Sequence, residues 1–363
     1  MKTHDIVIVG GGLSGLSLAY YLEQHAINYK LLEGRNRLGG RIFTITKNGF
    51  PFEMGATWFG EKHERLMALV KDLKIGYKPQ VNGEKALVDQ RPFGSVGFIN
   101  IPSSEETTYK FTKGSFSLIE ALSEKIPAQK IQLNCRVNTI KQESDYIEVN
   151  SDSESFKAQK VMVCLPPNLS QSINFQPTLK TSFKNTLHQT HTWMGNSVKI
   201  AIEYENDFWS SDGFSGSIFS NQQVIQEMYQ HNNDKNFGLV GFINQKFNNL
   251  SINNLKEKAI KQLVGYFGET AKNYKEITIL NWHNETLTTS KHNQNLIPHQ
   301  TNGAKSLRES KWKNKLWFGA SETATIHPGY MNGAIVRAQE ITEFLIKEIK
   351  DSIKKLKLII NLF

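Results

Sequence analysis

The sequence predicts an α/β protein in which a discontinuous Rossmann-like domain is joined to a smaller α+β domain built on a mixed sheet. Residues 5–33 read as strand, glycine turn, helix and strand, the first unit of a dinucleotide-binding fold. A second glycine-containing segment, residues 319–334, lies near the other end of the chain. The chain has 363 residues, a length that suggests two domains.

The first element is a strand followed by a glycine turn. Residues 6–9 are a continuous apolar run, as in a parallel strand buried on both faces, and residues 16–24 are predicted to be a helix. The turn has the spacing G-x-G-x-x-G. Its glycines permit a tight turn, close approach to a pyrophosphate, and close packing of helix on strand, in that order. Phosphate would lie at the helix N-terminus. We therefore assign dinucleotide contacts to Gly10, Gly12, Leu13, Ser14 and Gly15.

The next strand, predicted at residues 29–32, ends at Glu33. A carboxylate at this distance accepts hydrogen bonds from an adenosine ribose, and its charge disfavours the 2′-phosphate of NADP. The basic loop that follows offers arginines to phosphate, and its glycine pair implies close backbone approach. The alternative is a solvated basic loop. Cofactor contacts in this loop are assigned to Gly34, Arg35, Gly39, Gly40 and Arg41.

These motifs resemble those of the flavin-dependent amine oxidases, a family that includes monoamine oxidases, polyamine oxidases and L-amino-acid oxidases. The N-terminal glycines, Glu33 and Gly39-Gly40-Arg41 match its first signature, and residues 319–334 match its C-terminal flavin segment. The resemblance runs from Asp5 to about Leu345 and implies a GR2-type FAD-binding domain. It places further FAD contacts on Gly55, Ala56, Thr57, Trp58, Val137, Pro166, Trp282, Gly319, Glu322, Tyr330, Met331 and Ala334.

The same resemblance supplies four catalytic candidates. Residues 195–204 resemble the strand that carries the family's active-site lysine, here Lys199, which holds a water against the flavin N5. From residue type alone, a lysine on the outer face of a strand is the commoner arrangement. Trp282 corresponds to a tryptophan close to the flavin, with an ordinary core aromatic as the alternative. Tyr330 corresponds to one wall of an aromatic cage, and the other wall falls near His292, where the family has a tyrosine.

The cysteine and histidine patterns limit the cofactor chemistry. Cys135 and Cys164 are the two cysteines of the chain, and neither falls where monoamine oxidases link flavin covalently, so we expect noncovalent FAD. Two cysteines without a pairing pattern give no disulfide framework. His188 and His191 have metal-ligand spacing, but nothing supplies the remaining ligands, so we expect no metal.

Charge and hydropathy bear on location and partners. The net charge of +9 is diffuse and does not cluster with aromatic residues, which argues against nucleic acid. The first predicted strand begins at Asp5, leaving no room for a signal peptide, and no apolar run would span a bilayer, so a cytoplasmic location is expected.

A helix predicted from Glu340 leads into a basic amphipathic tail, residues 351–363, that would allow peripheral contact with an anionic membrane. The alternative is a packed terminal helix with a frayed end.

The pattern of predicted elements gives the domain organisation. We expect the FAD-binding domain to comprise residues 1–60, 113–190 and 285–350, and the substrate domain to comprise residues 61–112 and 191–284. Helices are predicted at residues 62–74, at 118–125 with Ser117 as N-cap, and at 255–267. Strands are predicted at residues 161–165, 198–204 and 238–243.

The predicted activity is oxidation of an amine to an imine by hydride transfer to the flavin N5, with reoxidation by O₂ giving H₂O₂. The predicted partners are thus a small-molecule amine and O₂, with the oligomeric state left open. Two alternatives remain: a flavin-dependent desaturase or oxidase of a lipophilic substrate resembling a carotenoid or porphyrinogen, and a non-catalytic flavoprotein. An L-amino-acid substrate would need a cation such as Arg65, Arg91 or Arg337. A polyamine would need acidic residues in the channel, and the sequence assigns none.

Overall fold

The computed structural model describes residues 3–102, 106–211, 213–233 and 235–360, with the side chains of residues 356–360 left aside. The strands are β1 (Thr3–Val9), β2 (Tyr29–Leu32), β3 (Thr44–Lys47), β4 (Phe50–Glu53), β5 (Trp58–Gly60), β6 (Tyr77–Pro79), β7 (Lys85–Asp89), β8 (Val96–Asn100), β9 (Thr108–Phe111), β10 (Ile131–Gln132), β11 (Val137–Gln142), β12 (Ile147–Ser151), β13 (Ser155–Val163), β14 (Asn174–Gln176), β15 (Val198–Tyr204), β16 (Phe214–Ser220), β17 (Ile225–Gln230), β18 (Phe237–Ile243), β19 (Tyr274–Asn281) and β20 (Leu316–Phe318). The helices are α1 (Leu13–Gln24), α2 (Glu64–Asp72), α3 (Phe116–Glu124), α4 (Pro167–Ser170), α5 (Thr181–Gln189), α6 (Ile252–Phe267), α7 (Lys305–Arg308) and α8 (Met331–Ile360).

The larger sheet is mixed, with its parallel strands grouped around β1. Its order is β10-β2-β1-β13-β12-β11-β14, and β20 also pairs with β13. The pairs β1–β2, β1–β13 and β13–β20 are parallel. Val9 lies opposite Leu32 and Val163, and Val163 lies opposite Phe318. Four strands therefore end together at one edge, where ligands bind in open α/β sheets.

Both faces of this sheet are covered, which explains the continuous apolar run of β1. Ile6 and Ile8 pack in a cluster with residues of α1, α3 and α8. Val7 and Val9 pack on the opposite face with residues of α5 and α7. Alternate residues of a strand point to opposite faces, so a strand between two helical layers has no polar side.

The second sheet is also mixed and has the order β19-β15-β18-β17-β16-β7-β8. Its pairs are antiparallel except β16–β7. One face packs on α6, where Ile200 and Ile202 meet Leu255 and Leu263. Ala201 belongs to a separate cluster on the other face, with residues of β4 and β18. Lys199 alternates with Ile200 along β15 and therefore shares the face of Ala201, which packs on β4.

The two large sheets are built from different segments of the chain. Strands of the larger sheet come from residues 3–32, 131–176 and 316–318, and those of the second from residues 85–100 and 198–281. The domain boundaries themselves remain a prediction. The strands predicted at residues 29–32 and 198–204 are confirmed with those bounds, and the helices predicted at 62–74 and 255–267 are observed as α2 and α6.

Two predicted helix starts are wrong. The helix expected from Glu340 begins at Met331, because Met331, Ala334, Ile335 and Ala338 are buried at helical spacing against α1 and its neighbours. The predicted cap Ser117 lies inside α3, and its hydroxyl donates to the Gly114 carbonyl.

The N-terminus of α3 is instead held by a carboxylate from the chain before it. Glu53 accepts hydrogen bonds from the Ser115 backbone N–H at 2.6 Å, the Ser115 hydroxyl at 2.7 Å and the Thr44 hydroxyl at 2.9 Å. This acid is distant in sequence from the helix, so local sequence did not indicate it.

The C-terminal helix extends beyond the core. Ile349 and Ile353 are exposed on α8, and residues 351–355 are helical and exposed. The last part of the predicted tail, residues 361–363, lies outside the described residues. Across the described chain, no helix combines the length and apolar character needed to cross a bilayer.

Candidate active site

The candidate site begins at the edge where the parallel strands end. Gly10 follows β1, Glu33 follows β2, Cys164 follows β13 and Gly319 follows β20. The backbone binds these ends together, since Gly10 N–H donates to Leu32 O and Gly319 N–H donates to Val163 O, both at 2.8 Å. Segments far apart in sequence thus meet at the edge that the motif predicts.

The three motif glycines differ in what surrounds them. Gly10 has φ +111°, a backbone region that favours glycine. A Cβ on Gly15 would lie 2.0 Å from Gly10 O, so this glycine lets α1 pack on the end of β1. A Cβ on Gly12 would meet nothing closer than Gly40 Cα at 3.9 Å. Gly12 therefore opens a space at the N-terminus of α1, where free N–H groups favour an anion.

The Glu33 carboxylate is buried beside this space. Gly11 N–H donates to one of its oxygens at 2.7 Å, and Arg35 N–H donates to the other at 2.8 Å. Each carboxylate oxygen has a further acceptor site, which leaves Glu33 able to accept from ribose hydroxyls.

The two arginines assigned to phosphate make protein contacts. The Arg35 guanidinium donates to Leu287 O, Thr288 Oγ1 and Glu285. Arg41 forms a two-pronged ion pair with Glu322, at 2.6 and 3.0 Å. Arg41 thereby joins the N-terminal glycine loop to the C-terminal segment.

The positive charge of Arg41 determines the ionisation state of Glu322. Burial alone would raise the pKa of Glu322, but the positive charge and hydrogen bonds of Arg41 hold it below its ordinary value. Glu322 is therefore ionised at neutral pH.

One cavity of about 710 Å³ runs from the glycine loop to the second sheet. This volume is in the range of cofactor and ligand pockets. The predicted site residues that line it are Gly10, Gly12, Leu13, Ser14, Glu33, Arg35, Gly39, Gly40, Arg41, Gly55, Ala56, Thr57, Trp58, Pro166, Lys199, Trp282, Tyr330, Met331 and Ala334.

Other predicted contacts lie behind this lining. A Cβ on Gly319 would meet Cys164 Sγ at 3.0 Å, so Gly319 permits packing of β20. Gly34 packs between Leu287 and Arg136. Val137 is buried in the core cluster on one face of the larger sheet. Gly15 and Glu322 act through the packing and the ion pair described above.

Lys199 is buried at the far end of the cavity, with 1% of its surface exposed. Its Nζ donates to Thr57 Oγ1 at 3.0 Å and lies 4.9 Å from the Trp58 ring centroid and 4.4 Å from that of Phe242. Aromatic faces attract a cation, which stabilises the ammonium in this position. The outer-face alternative for Lys199 does not hold.

Burial perturbs Lys199 and the nearby Glu53 in opposite directions. Desolvation lowers the pKa of Lys199 to about 8, although the charges of Glu53 and Glu227 act to raise it. Desolvation raises the pKa of Glu53 to about 7 against its hydrogen bonds from Ser115 and Thr44. Strongly perturbed groups beside a cavity are a feature of functional sites.

Trp282 supports the turn that carries Thr57. Its indole N–H donates to Met54 O at 2.5 Å, and the ring is buried while lining the cavity. The Thr57 hydroxyl donates to Gly55 O, leaving its oxygen free to accept from Lys199. Trp282 and Lys199 thus hold the same turn from two sides.

The aromatic cage requires a correction at His292. Its ring stacks on His188 with centroids 3.7 Å apart, and it is not among the residues lining the cavity. The ring stacked on Tyr330 is His299, with centroids 5.3 Å apart, and Trp193 contacts both, with its centroid 4.0 Å from His299 and 5.8 Å from Tyr330. A group placed between two rings needs about 7 Å, so these rings form a packed wall.

The three arginines considered as partners for a substrate carboxylate do not line the cavity. Arg65 is exposed, Arg91 pairs with Asp89, and Arg337 donates to Phe318 O. None of these three lines the cavity in the described chain.

Among the residues that the structure describes, no group of three or more His, Cys, Asp or Glu residues is arranged to hold a metal ion.

Several lining residues were not predicted. Phe242, Tyr229 and Glu227 surround the Lys199 end of the cavity, together with Asn196, Gln80 and Gln226. Phe242 lies opposite Lys199 on the neighbouring strand. Its apolar strand was visible in the sequence, but the strand register that aligns the two residues was not.

Comparisons with known proteins add the following similarities. The sequence profile described as flavin containing amine oxidoreductase matches residues 13–91 and 87–341. A probable flavin-containing monoamine oxidase A of Dictyostelium discoideum is 22% identical, covering 98% of this chain and 99% of the relative. Putrescine oxidase of Kocuria rosea is 25% identical over 74% of this chain and 79% of its own. The solved structure of cyclohexylamine oxidase from Brevibacterium oxydans superposes with a TM-score of 0.84 at 17% identity, covering 96% of this chain and 99% of that chain.

Proposed function

This chain belongs to the flavin containing amine oxidoreductase family, and from that premise we propose that it oxidises a small amine to an imine with FAD as cofactor and O₂ as electron acceptor. The observation that carries the proposal is the position of Lys199. It lies buried at one end of a cavity whose other end is the dinucleotide glycine loop.

The residues present fit FAD. The space beside Gly12 and the N-terminus of α1 suits a pyrophosphate, and Glu33 suits a ribose. Thr57, Trp282 and Met331 line the cavity and would hold the flavin ring. When bound, FAD supplies the hydride acceptor for the amine and returns the electrons to O₂ with formation of H₂O₂.

The protein's task at the Lys199 end is to position donors and to exclude bulk water. Protonated Lys199 has three N–H donors, and Thr57 accepts one of them. The others are available to hold a water molecule in the cavity. The rings of Trp58, Phe242 and Tyr330 provide apolar walls for the amine, which must be neutral when it loses hydride.

FAD is proposed to bind without a covalent link. Cys135 is buried in the sheet core, and Cys164 lies next to Gly319 at the strand ends. Burial raises the pKa of the Cys164 thiol to about 12, which leaves it a poor nucleophile. Denaturation in acid should therefore release the flavin from the protein.

The test compares Lys199→Met with Lys110→Met. Lys110 is also buried and has a pKa lowered by desolvation, but it donates to Asn232 O and does not line the cavity. We expect Lys199→Met to slow reoxidation of the reduced flavin by O₂ on the order of 100-fold, with FAD still bound, because a positioned charged donor is lost. Lys110→Met should keep the wild-type rate.

The readouts are stopped-flow flavin absorbance and peroxide release across aryl-alkyl amines, diamines, polyamines and L-amino acids. A wild-type reoxidation rate in Lys199→Met would remove Lys199 from the mechanism. Absence of turnover with every amine, in protein with bound and reducible FAD, would refute amine oxidation and favour a lipophilic substrate.

Two further features stay proposals of the same kind. The domain division follows the two sheets, with FAD held by the larger one. The basic end of α8, where Ile349 and Ile353 are exposed, is proposed to touch anionic membranes peripherally from a cytoplasmic location.

A further inference from the structure

An irregularity in β17 turns two consecutive side chains into the cavity. Ile225 lies opposite Ile243, whereas Glu227 lies opposite Phe242, so Gln226 is an extra residue in β17. Consecutive residues of a regular strand point to opposite faces. Gln226 and Glu227 both line the cavity, as a β-bulge permits. The bulge therefore adds an acid to a wall that is otherwise aromatic.

Glu227 and Lys199 belong to one row of residues paired across neighbouring strands. Lys199 pairs with Phe242, and Phe242 pairs with Glu227, on three adjacent strands. Two strand spacings separate the backbones of Lys199 and Glu227, roughly 10 Å. Their side chains rise from the same face of the sheet, with the Phe242 ring between them.

The charge of Glu227 has no basic partner at ion-pair distance among the described residues. Tyr229 donates a hydrogen bond to its Oε2 at 3.3 Å, and Glu227 is half-buried. Of the described residues that line the cavity, Glu33 and Glu227 are the carboxylates, and Glu33 lies at the nucleotide end. Glu227 is thus the acid at the Lys199 end.

The surrounding rings also favour a cation. The Trp58 ring lies 5.1 Å from that of Tyr229 and 6.2 Å from that of Phe242, and all three line the cavity. Lys199 Nζ already faces the Trp58 and Phe242 rings, so recognition of a second ammonium group falls to the Glu227 carboxylate beside Tyr229. A substrate carboxylate would instead be repelled by Glu227, which disfavours amino acids.

We infer that Glu227 binds a second ammonium group of the substrate, so that the preferred substrates are diamines that present one amine beside Lys199 and the other to Glu227. This inference rests on the proposed amine oxidation. The aromatic walls contact the methylene chain between the two nitrogens, and the row of paired residues sets the distance between them.

The first experiment compares 1,4-diaminobutane with 1-aminobutane, two substrates that differ by one ammonium group. In the FAD-loaded wild type, kcat/KM should favour the diamine. Glu227→Gln keeps the shape and can still accept from Tyr229, but removes the charge. We expect the ratio of the two kcat/KM values to fall on the order of 10- to 100-fold, as for loss of a charged hydrogen bond.

The matched control is Glu205→Gln, the same chemical change at an exposed glutamate that pairs with Lys275. This control should keep the wild-type ratio. An unchanged ratio in Glu227→Gln, or an equal fall in the control, would overturn the inference.

A binding measurement separates this inference from the proposed reaction. At fixed ionic strength, 1,4-diaminobutane should raise the Tm of the FAD-loaded wild type more than 1-aminobutane does, and Glu227→Gln should abolish the difference. Equal shifts in the wild type would refute diamine recognition even if amines are oxidised. A selective shift without turnover would instead refute the oxidation and leave recognition standing.

Discussion

Substitution by alanine should have different effects at two glycines of the G-x-G-x-x-G motif, lowering stability at Gly15 and FAD affinity at Gly12. Gly15→Ala would place its Cβ 2.0 Å from Gly10 O, a backbone atom that cannot move aside alone. Overpacking of this kind costs about 1–3 kcal/mol or more, against about 1 kcal/mol gained by alanine within a helix. Because a 2.0 Å contact with backbone puts the cost in the upper part of that range, about 2–3 kcal/mol, the free energy of unfolding should fall by about 1–2 kcal/mol.

Gly12→Ala meets no such obstacle. Its backbone is extended, with φ −77° and ψ −178°, and the nearest atom to the added Cβ is 3.9 Å away. Stability of the FAD-free protein should change by less than about 1 kcal/mol. The methyl group would fill the space assigned to the pyrophosphate, so FAD affinity should fall at least about 10-fold, or about 1.4 kcal/mol.

The assays are urea unfolding of the FAD-free proteins and titration of each with FAD, followed by flavin fluorescence. We expect a lowered urea midpoint for Gly15→Ala and a raised Kd for Gly12→Ala. The separate roles of the two glycines are refuted if Gly12→Ala loses as much stability as Gly15→Ala, or if Gly12→Ala binds FAD with wild-type affinity.

Two further predictions concern buried carboxylates. Because the pKa of Glu53 is raised from 4.5 to about 7 in the folded state, its contribution to stability is full below pH 4.5 and is lost as the pH rises through 7. Urea midpoints measured from pH 4 to 8 should show a fall in the wild type that Glu53→Gln reduces; equal slopes would contradict the assignment. Glu322→Gln leaves Arg41 without its buried partner and should cost about 2–4 kcal/mol in urea unfolding of the FAD-free protein. The exposed pair of Lys275 and Glu205 gives the control, since Glu205→Gln should cost less than about 1 kcal/mol, and equal losses would count against the buried pair.

The dinucleotide end of the site was predictable because its signals are local. Gly10, Gly12 and Glu33 follow strands whose apolar runs are complete within a few residues. The strand carrying Lys199 was also predicted with its observed bounds, since its burial on both sides gives an apolar run that is interrupted at Lys199 and Glu203. Lys199 itself was located by resemblance, and its burial became evident only from the structure.

The Lys199 end of the cavity was not predictable because it depends on pairing between separate strands. The bulge that turns Glu227 into the cavity is a property of the β17–β18 register, which no local pattern encodes. The error at His292 has a related cause. The position of His292 was carried over from the family's residue spacing, which does not specify that residues 282–295 contain two short helical turns or that His292 stacks on His188.

The ion pair between Arg41 and Glu322 has a consequence for biosynthesis. The two residues are 281 positions apart, so β20 and α8, which support Glu322, are made long after the glycine loop. The glycine loop emerges from the ribosome before these elements, yet its pocket lacks a wall until residues 316–345 have folded against α1 and β13. Complete flavin binding therefore has to wait until residues 316–345 have been made, and the nascent chain must keep its first apolar strand protected until then.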